Sequence, residues 1–246
     1  MITLRDHHFK GIQIDINVEC NLMCYNCNRS CRQAPSNEMM TIDQIKKFID
    51  ESIQANYCWP QIDILGGEPT LHPKFLDIVQ LFNDYRQVHN PNCVLKIVTN
   101  GYTDETNRLI DEANKITHLW VENTFKKSVV QSFNPFNVAP IDTLSDIDYS
   151  ADCWILQLCG KGLSFSGYYL CAVAASIDRI FGFDIGLKHL TDINQDALKK
   201  QLIKLCPLCG HWQIPNDKYV NEEIMSKTWV EAYARYKQCR PRLSLY

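Results

Sequence analysis

Ile12-Gln-Ile-Asp-Ile-Asn-Val18, followed at once by Glu19-Cys20-Asn-Leu-Met-Cys24-Tyr-Asn-Cys27, is the stretch on which the fold turns. Ile12, Ile14, Ile16 and Val18 alternate with Gln13, Asp15 and Asn17, the period of a β-strand. The cysteines begin where that strand ends. Downstream, Thr41 with Gln44 three residues later forms a capping-box start, and Ile42, Ile45, Phe48, Ile49 and Ile53 keep a helical period. Ile62 to Leu65 reads as a short buried strand, Gly66-Gly67-Glu68-Pro69 as its exit loop, and Pro73 to Arg86 as a helix opened by proline. Val94 to Val98 is a third strand leaving through Thr99-Asn100-Gly101, Thr103 to Lys115 a helix, and His118 to Glu122 a fourth strand.

Strand, loop and helix thus repeat without a hairpin signal, which predicts a parallel sheet with right-handed crossovers, either open or wrapped into a partial barrel. In such folds ligands bind at the C-terminal ends of the strands. Cys20 to Cys27, Gly66 to Pro69, Thr99 to Gly101 and Glu122 to Asn123 all occupy such ends, so one site built from four loops is expected. After about residue 125 the rhythm weakens at Asn134-Pro135 and Ala139-Pro140, and a second unit is expected. Within it Leu163 to Cys171 reads as a hairpin around Ser166-Gly167, and Asp196 to Leu205 and Glu222 to Lys237 read as helices.

Composition narrows the function. With 246 residues, 46% hydrophobic and 22% charged, the chain can bury a sizeable core, and its net charge of −3 offers no basic field for nucleic acid or an anionic membrane. Met1 to Lys10 lacks the apolar run of a signal peptide, and the longest weakly polar run, Tyr168 to Ile177, is too short to span a bilayer. A cytoplasmic location without membrane attachment is the expectation. In that reducing compartment the twelve cysteines read as metal ligands or redox groups rather than disulfides.

They fall into two groups and some singles. Cys20, Cys24 and Cys27 make CxxxCxxC, and three thiolates on one loop can hold three irons of a 4Fe-4S cluster and leave the fourth open. Structural zinc usually takes four protein ligands, so the spacing favours iron and sulfur. CxxxCxxC after the first strand, Gly66-Gly67-Glu68-Pro69 after the second and Thr99-Asn100-Gly101 after a later one together resemble the radical S-adenosylmethionine (radical SAM) enzymes over roughly residues 10 to 125. The resemblance implies a 4Fe-4S cluster on Cys20, Cys24 and Cys27 whose open iron takes S-adenosylmethionine. It implies reductive cleavage to a 5'-deoxyadenosyl radical, and an electron donor such as flavodoxin or ferredoxin. It assigns cofactor binding to Gly66, Gly67, Glu68, Pro69, Thr99, Asn100 and Glu122, with Glu68 suited to the methionyl ammonium. It departs at one place: the family's aromatic before the third cysteine is Asn26 here, with Tyr25 one residue earlier. Cys31 is read as a free thiol, because a fourth ligand would close the open iron.

Cys159 and Cys171 flanking the hairpin, followed by Cys206-Pro-Leu-Cys209, are similar to the twitch, or SPASM-like, auxiliary-cluster region of that family. This resemblance implies a second 4Fe-4S cluster on Cys159, Cys171, Cys206 and Cys209, with Cys153 as a rival to Cys159 and Cys239 a weaker one. Half a zinc ribbon is the alternative for Cys206 and Cys209. Cys58 and Cys93 read as buried small hydrophobes. The fold class expected is α/β, a partial (βα)6-type barrel of parallel strands over residues 1–150, with a small C-terminal hairpin-and-helix domain over 151–246. The activity implied is oxidation, dehydrogenase-type, of a small polar metabolite such as a sugar or aminocyclitol, with Lys161, Tyr168, Asp178 and Arg179 as candidate substrate contacts. The alternative is radical crosslinking or epimerisation of a ribosomally made peptide, received at a strand edge of the second unit. No residue stands out as a catalytic acid or base.

Overall fold

The computed structural model describes residues 11–140, 153–212 and 221–246. Residues 1–10 and the expected boundary at 150/151 lie outside them. The strictly alternating segment forms β1 (Ile12–Asn17), and Thr41 caps α1 (Ile42–Gln54) with the reciprocal Gln44 bond that the sequence predicts. There follow β2 (Gln61–Gly66), α2 (Phe75–His89), β3 (Val94–Thr99), α3 (Asp104–Ile116) and β4 (Trp120–Asn123). β1 to β4 pair in parallel, each with the next.

Their convex face is the main core. Ile12, Ile14 and Ile16 of β1, Ile62 and Ile64 of β2, and Leu95 and Ile97 of β3 pack with Ile45 and Phe48 of α1, Ile78 and Phe82 of α2, and Ile110 of α3. Burial of these side chains contributes about 1.5–3 kcal/mol each, which is what holds the helices to one side of the sheet.

The expected second unit is joined to this sheet. α4 (Trp154–Cys159) leads into β5 (Lys161–Ser164), which pairs in parallel with β1 on its free side, and β6 (Gly167–Tyr169) returns antiparallel. The strand order is β4-β3-β2-β1-β5-β6, an open and mostly parallel six-stranded sheet. The hairpin read from Ser166-Gly167 is therefore the continuation of the first sheet, placed there by a long crossover that local sequence cannot reveal. α5 (Ala172–Phe181), α6 (Gln195–Leu205) and α7 (Lys227–Gln238) form a second core around Trp229, Tyr233, Ile177 and Leu202. α7 starts later than read, because Ser226 supplies the N-cap oxygen to Trp229. Among the described residues no helix is long and apolar enough to cross a membrane.

Candidate active site

A parallel sheet covered on both faces is ordinarily apolar on both. Here the face opposite the helices is largely polar, because Gln13, Gln61, Asp63, Lys96, Trp120 and Glu122 all line it. It walls a cavity of about 690 Å³, lined at the strand ends by Cys20, Cys24, Cys27, Gly66, Gly67, Thr99 and Asn100. The four loops read as one site do converge. Cys20, Cys24 and Cys27 stand on the exit loop of β1, held strand-like by Met23 N–H donating to Val129 O at 2.7 Å and Tyr25 N–H to Gln131 O at 2.7 Å. Gly67 meets this loop backbone to backbone: a Cβ there would stand 2.1 Å from Glu19 O. Only glycine permits that approach.

The three thiols differ. Burial, with the Cys27 and Cys20 sulfurs beside it, pushes Cys24 up to about 12, whereas hydrogen bonding from the Cys31 side chain draws Cys27 down to about 6. Cys31 bonds Cys20 and Cys27 together, which raises its own thiol; it is buried and lines the same cavity. Asn100 Nδ2 donates to Asn21 Oδ1 at 2.8 Å and lies 4.0 Å from Cys20 Sγ, tying the third loop to the first.

Glu68 differs from its expected role. It is fully buried, and its carboxylate accepts from Thr70 N–H, Thr70 Oγ1, Thr99 Oγ1 and Asn100 N–H at 2.8–3.2 Å. Three of these donors share Oε1 and Asn100 N–H takes Oε2, joining the β2 and β3 loops, and the cavity wall at this point is Gly66 and Gly67 instead. Burial still pushes the carboxyl up. Pro69, also buried, opens the short 3-10 turn Pro69–Leu71 that Glu68 caps. Glu122 lines the cavity, paired with Lys96 at 2.5 Å.

Asn26, the departure from the family pattern, has a structural cause. It adopts a left-handed φ of 53°; its Nδ2 donates to Glu222 O at 2.9 Å and its Oδ1 accepts from Ile224 N–H at 3.0 Å. An aromatic there could make neither bond, and Asn tolerates this backbone region better than most residues. Arg179, expected near substrate, is buried and donates to Ala34 O and Arg29 O at 3.0 Å, bracing the cysteine loop from behind. Asp178 accepts from Tyr169 OH at 2.7 Å, and Tyr168 donates to Glu51. Lys161 is buried as well. None of these four lines the cavity. Residues the sequence reading missed do: Gln13, Arg29, Gln61, Asp63, Lys96 and Trp120. Their signal was the polar half of the strand alternation, which reads equally well as a solvated face.

The second cysteine group surrounds a separate cavity lined by Cys153, Cys171, Cys206 and Cys209 among Ile155, Leu156, Leu170, Val173, Ala174, Ile177 and Leu205. Cys159, preferred from the sequence, lines the large cavity instead. The reason is α4: Cys153 is its N-cap and Cys159 its last residue, and six residues at helical rise put them about 9 Å apart. One of them can join the group, and the lining selects Cys153. Burial pushes Cys171 and Cys209 up, with neighbouring thiols adding to it. Cys93 is buried as read, but Cys58 is exposed. Among the described residues no three His, Cys, Asp or Glu side chains gather around a single metal ion, as four-ligand zinc would require.

Residues 14–132 match the sequence model of the Radical SAM superfamily. The chain contains a radical SAM domain. Similar proteins include the probable GTP 3',8-cyclase of Methanococcus aeolicus, 28% identical over 101 residues, 41% of this chain and 32% of that protein. The GTP 3',8-cyclase of Haemophilus ducreyi is 28% identical over 109 residues, 44% of this chain and 28% of that protein. The matched stretch thus spans less than a third of either relative. The fold is similar to that of BtrN, solved in complex with AdoMet and 2-DOIA, at TM-score 0.54 and 15% identity over 88% of this chain and 98% of that one. A radical SAM domain implies a 4Fe-4S cluster and S-adenosylmethionine, and three thiols on one cavity wall, one of them favoured as thiolate, fit that cluster.

Proposed function

We propose that this protein is a dehydrogenase-type radical SAM enzyme, oxidising a small polar metabolite of sugar or aminocyclitol type by two electrons. The observation that carries the reading is the single cavity that joins the CxxxCxxC loop to a wall of polar side chains. When bound, the cluster and S-adenosylmethionine supply a 5'-deoxyadenosyl radical, which removes a hydrogen atom from a C–H bond. Cys20, Cys24 and Cys27 hold that cluster. The backbones of Gly66 and Gly67, with Thr99 and Asn100, hold S-adenosylmethionine, and Glu68 positions Thr99 and Asn100 from behind. Ile155, Leu158 and Val173 line the cavity from the side of α4 and α5, restricting water at the reacting centre.

The buried group of Cys153, Cys171, Cys206 and Cys209 supplies the four sulfur ligands that an auxiliary 4Fe-4S cluster takes. Such a cluster, if held there, would supply a one-electron acceptor beside the cavity. The peptide alternative finds less support: the outer side of β6 is already bridged by Leu187, through Tyr168 N–H to Leu187 O at 2.8 Å and Leu187 N–H to Tyr168 O at 3.0 Å.

Anaerobic reconstitution tests the reading. The expected result is about eight irons per chain, two four-iron clusters, and transfer of deuterium from a ring-labelled aminocyclitol into 5'-deoxyadenosine. Absence of 5'-deoxyadenosine with dithionite and S-adenosylmethionine overturns it.

A further inference from the structure

Strand register aligns four polar-face residues into one row. Gln13 is opposite Asp63, Asp63 opposite Lys96, and Lys96 opposite Trp120, and all four line the large cavity. Burying such a row against a sheet costs free energy that the fold itself does not recover. Asp63 is 5% exposed. Its Oδ1 accepts from Gln61 Nε2 at 2.5 Å, but its Oδ2 has only a long bond from Gln13 Nε2 at 3.4 Å. Gln13 Oε1 in turn accepts from Arg29 at 3.0 Å. At the end of the row Trp120 is 55% exposed, with Lys96 Nζ 4.6 Å from the ring centroid. An acceptor with spare capacity, amides on either side of it and an uncovered indole make a site for a flat molecule with polar edges and an apolar face.

We propose that the row Gln13, Asp63, Lys96 and Trp120 is the ring subsite for a polyol bearing hydroxyl and amino groups, which stacks its C–H face on Trp120 and presents adjacent hydroxyl or amino groups to Asp63. This rests on the reading of the cavity as the catalytic one and adds which residues choose the substrate. Within the row itself the charge pattern fits. Lys96 and Arg29 are neutralised by Glu122 and Asp15, while Asp63 favours an ammonium; the remaining lining cation, Lys126, lies beyond the end of β4 and outside the row. Gln61 and Gln13 keep the carboxylate turned along the row. Lys96 and Glu122 close its edge toward β4.

The test is isothermal titration calorimetry of the reconstituted, S-adenosylmethionine-bound protein with glucosamine and with myo-inositol, against GTP as the contrasting ligand. Binding of either polyol, weakened about tenfold or more in Asp63→Asn and in Trp120→Ala but kept in Trp120→Phe, is the expected result. Equal affinity of wild type, D63N and W120A overturns the proposal, as does binding of GTP with neither polyol bound. Trp120 is largely exposed and D63N is isosteric, so neither variant should be lost to misfolding. Uncoupled 5'-deoxyadenosine formation by the wild type is measured in parallel. Its absence overturns the enzymatic reading, and the titration judges the subsite separately.

Discussion

The two cysteine groups sit in opposite surroundings. Cys20, Cys24 and Cys27 come from eight consecutive residues and face a large cavity with polar walls. Cys153, Cys171, Cys206 and Cys209 are drawn from α4, the start of α5 and the end of α6, and share their cavity with aliphatic side chains alone. The contrast is one of solvent and access. A site that must admit a polar ligand keeps hydrogen-bonding walls, whereas a site without a ligand to admit can be closed by hydrophobic packing. Between them runs α4, with a cysteine at each end.

The strongest break in this comparison is Cys24→Ala, which should abolish 5'-deoxyadenosine formation and lower iron by about four per chain, the content of one cluster, read by product chromatography and iron assay. Next comes the pair that separates the two ends of α4. Cys153→Ala should lose about four irons while Cys159→Ala keeps them; the reverse result would return Cys159 to the second group. A smaller effect is expected where the two halves are stitched together. Asn26→Ala removes side-chain bonds to Glu222, Ile224 and Phe133 and a residue suited to positive φ, so it should destabilise by about 2–3 kcal/mol, seen as a lower denaturation midpoint with the cluster still bound.

The smallest effect concerns Asp63. Burial raises its carboxyl above the ordinary 3.8, so the folded state binds this proton more tightly than the unfolded chain does. Its contribution to stability therefore grows as pH falls through the raised value and levels off below the ordinary one. Asp63→Asn should remove that slope and stabilise the protein at neutral pH, measured by urea denaturation at several pH values. Greater stability with weaker ligand binding would mark Asp63 as a residue kept for the cavity rather than for the fold.

Much of the first half was legible because its determinants are local. The Ile12 to Val18 alternation, the Thr41 capping box and the loops after each strand name their elements within a few residues, and parallel βα order then brings the strand ends together. Glu68 was misread because its four donors come from loops up to 32 residues away; a carboxylate beside two glycines looks the same whether it faces a ligand or its own protein. For Arg179 the sequence left a substrate contact and a packing role both open, and the structure shows the packing role, with acceptors near residues 29 to 34.

Cysteine spacing and strand period by themselves determined the mostly parallel sheet and the first thiol triad, and the resemblance of the CxxxCxxC, Gly66-Gly67-Glu68-Pro69 and Thr99-Asn100-Gly101 loops pointed to the radical SAM domain, because each is written in contiguous residues. Tertiary structure alone decided that the hairpin extends the sheet beside β1, that Cys153 lines the small cavity with Cys171, Cys206 and Cys209 while Cys159 lines the large one, and that the polar sides of the strands enclose a cavity instead of meeting water. These depend on which surfaces meet across long stretches of chain, and burial, not local propensity, sets that choice.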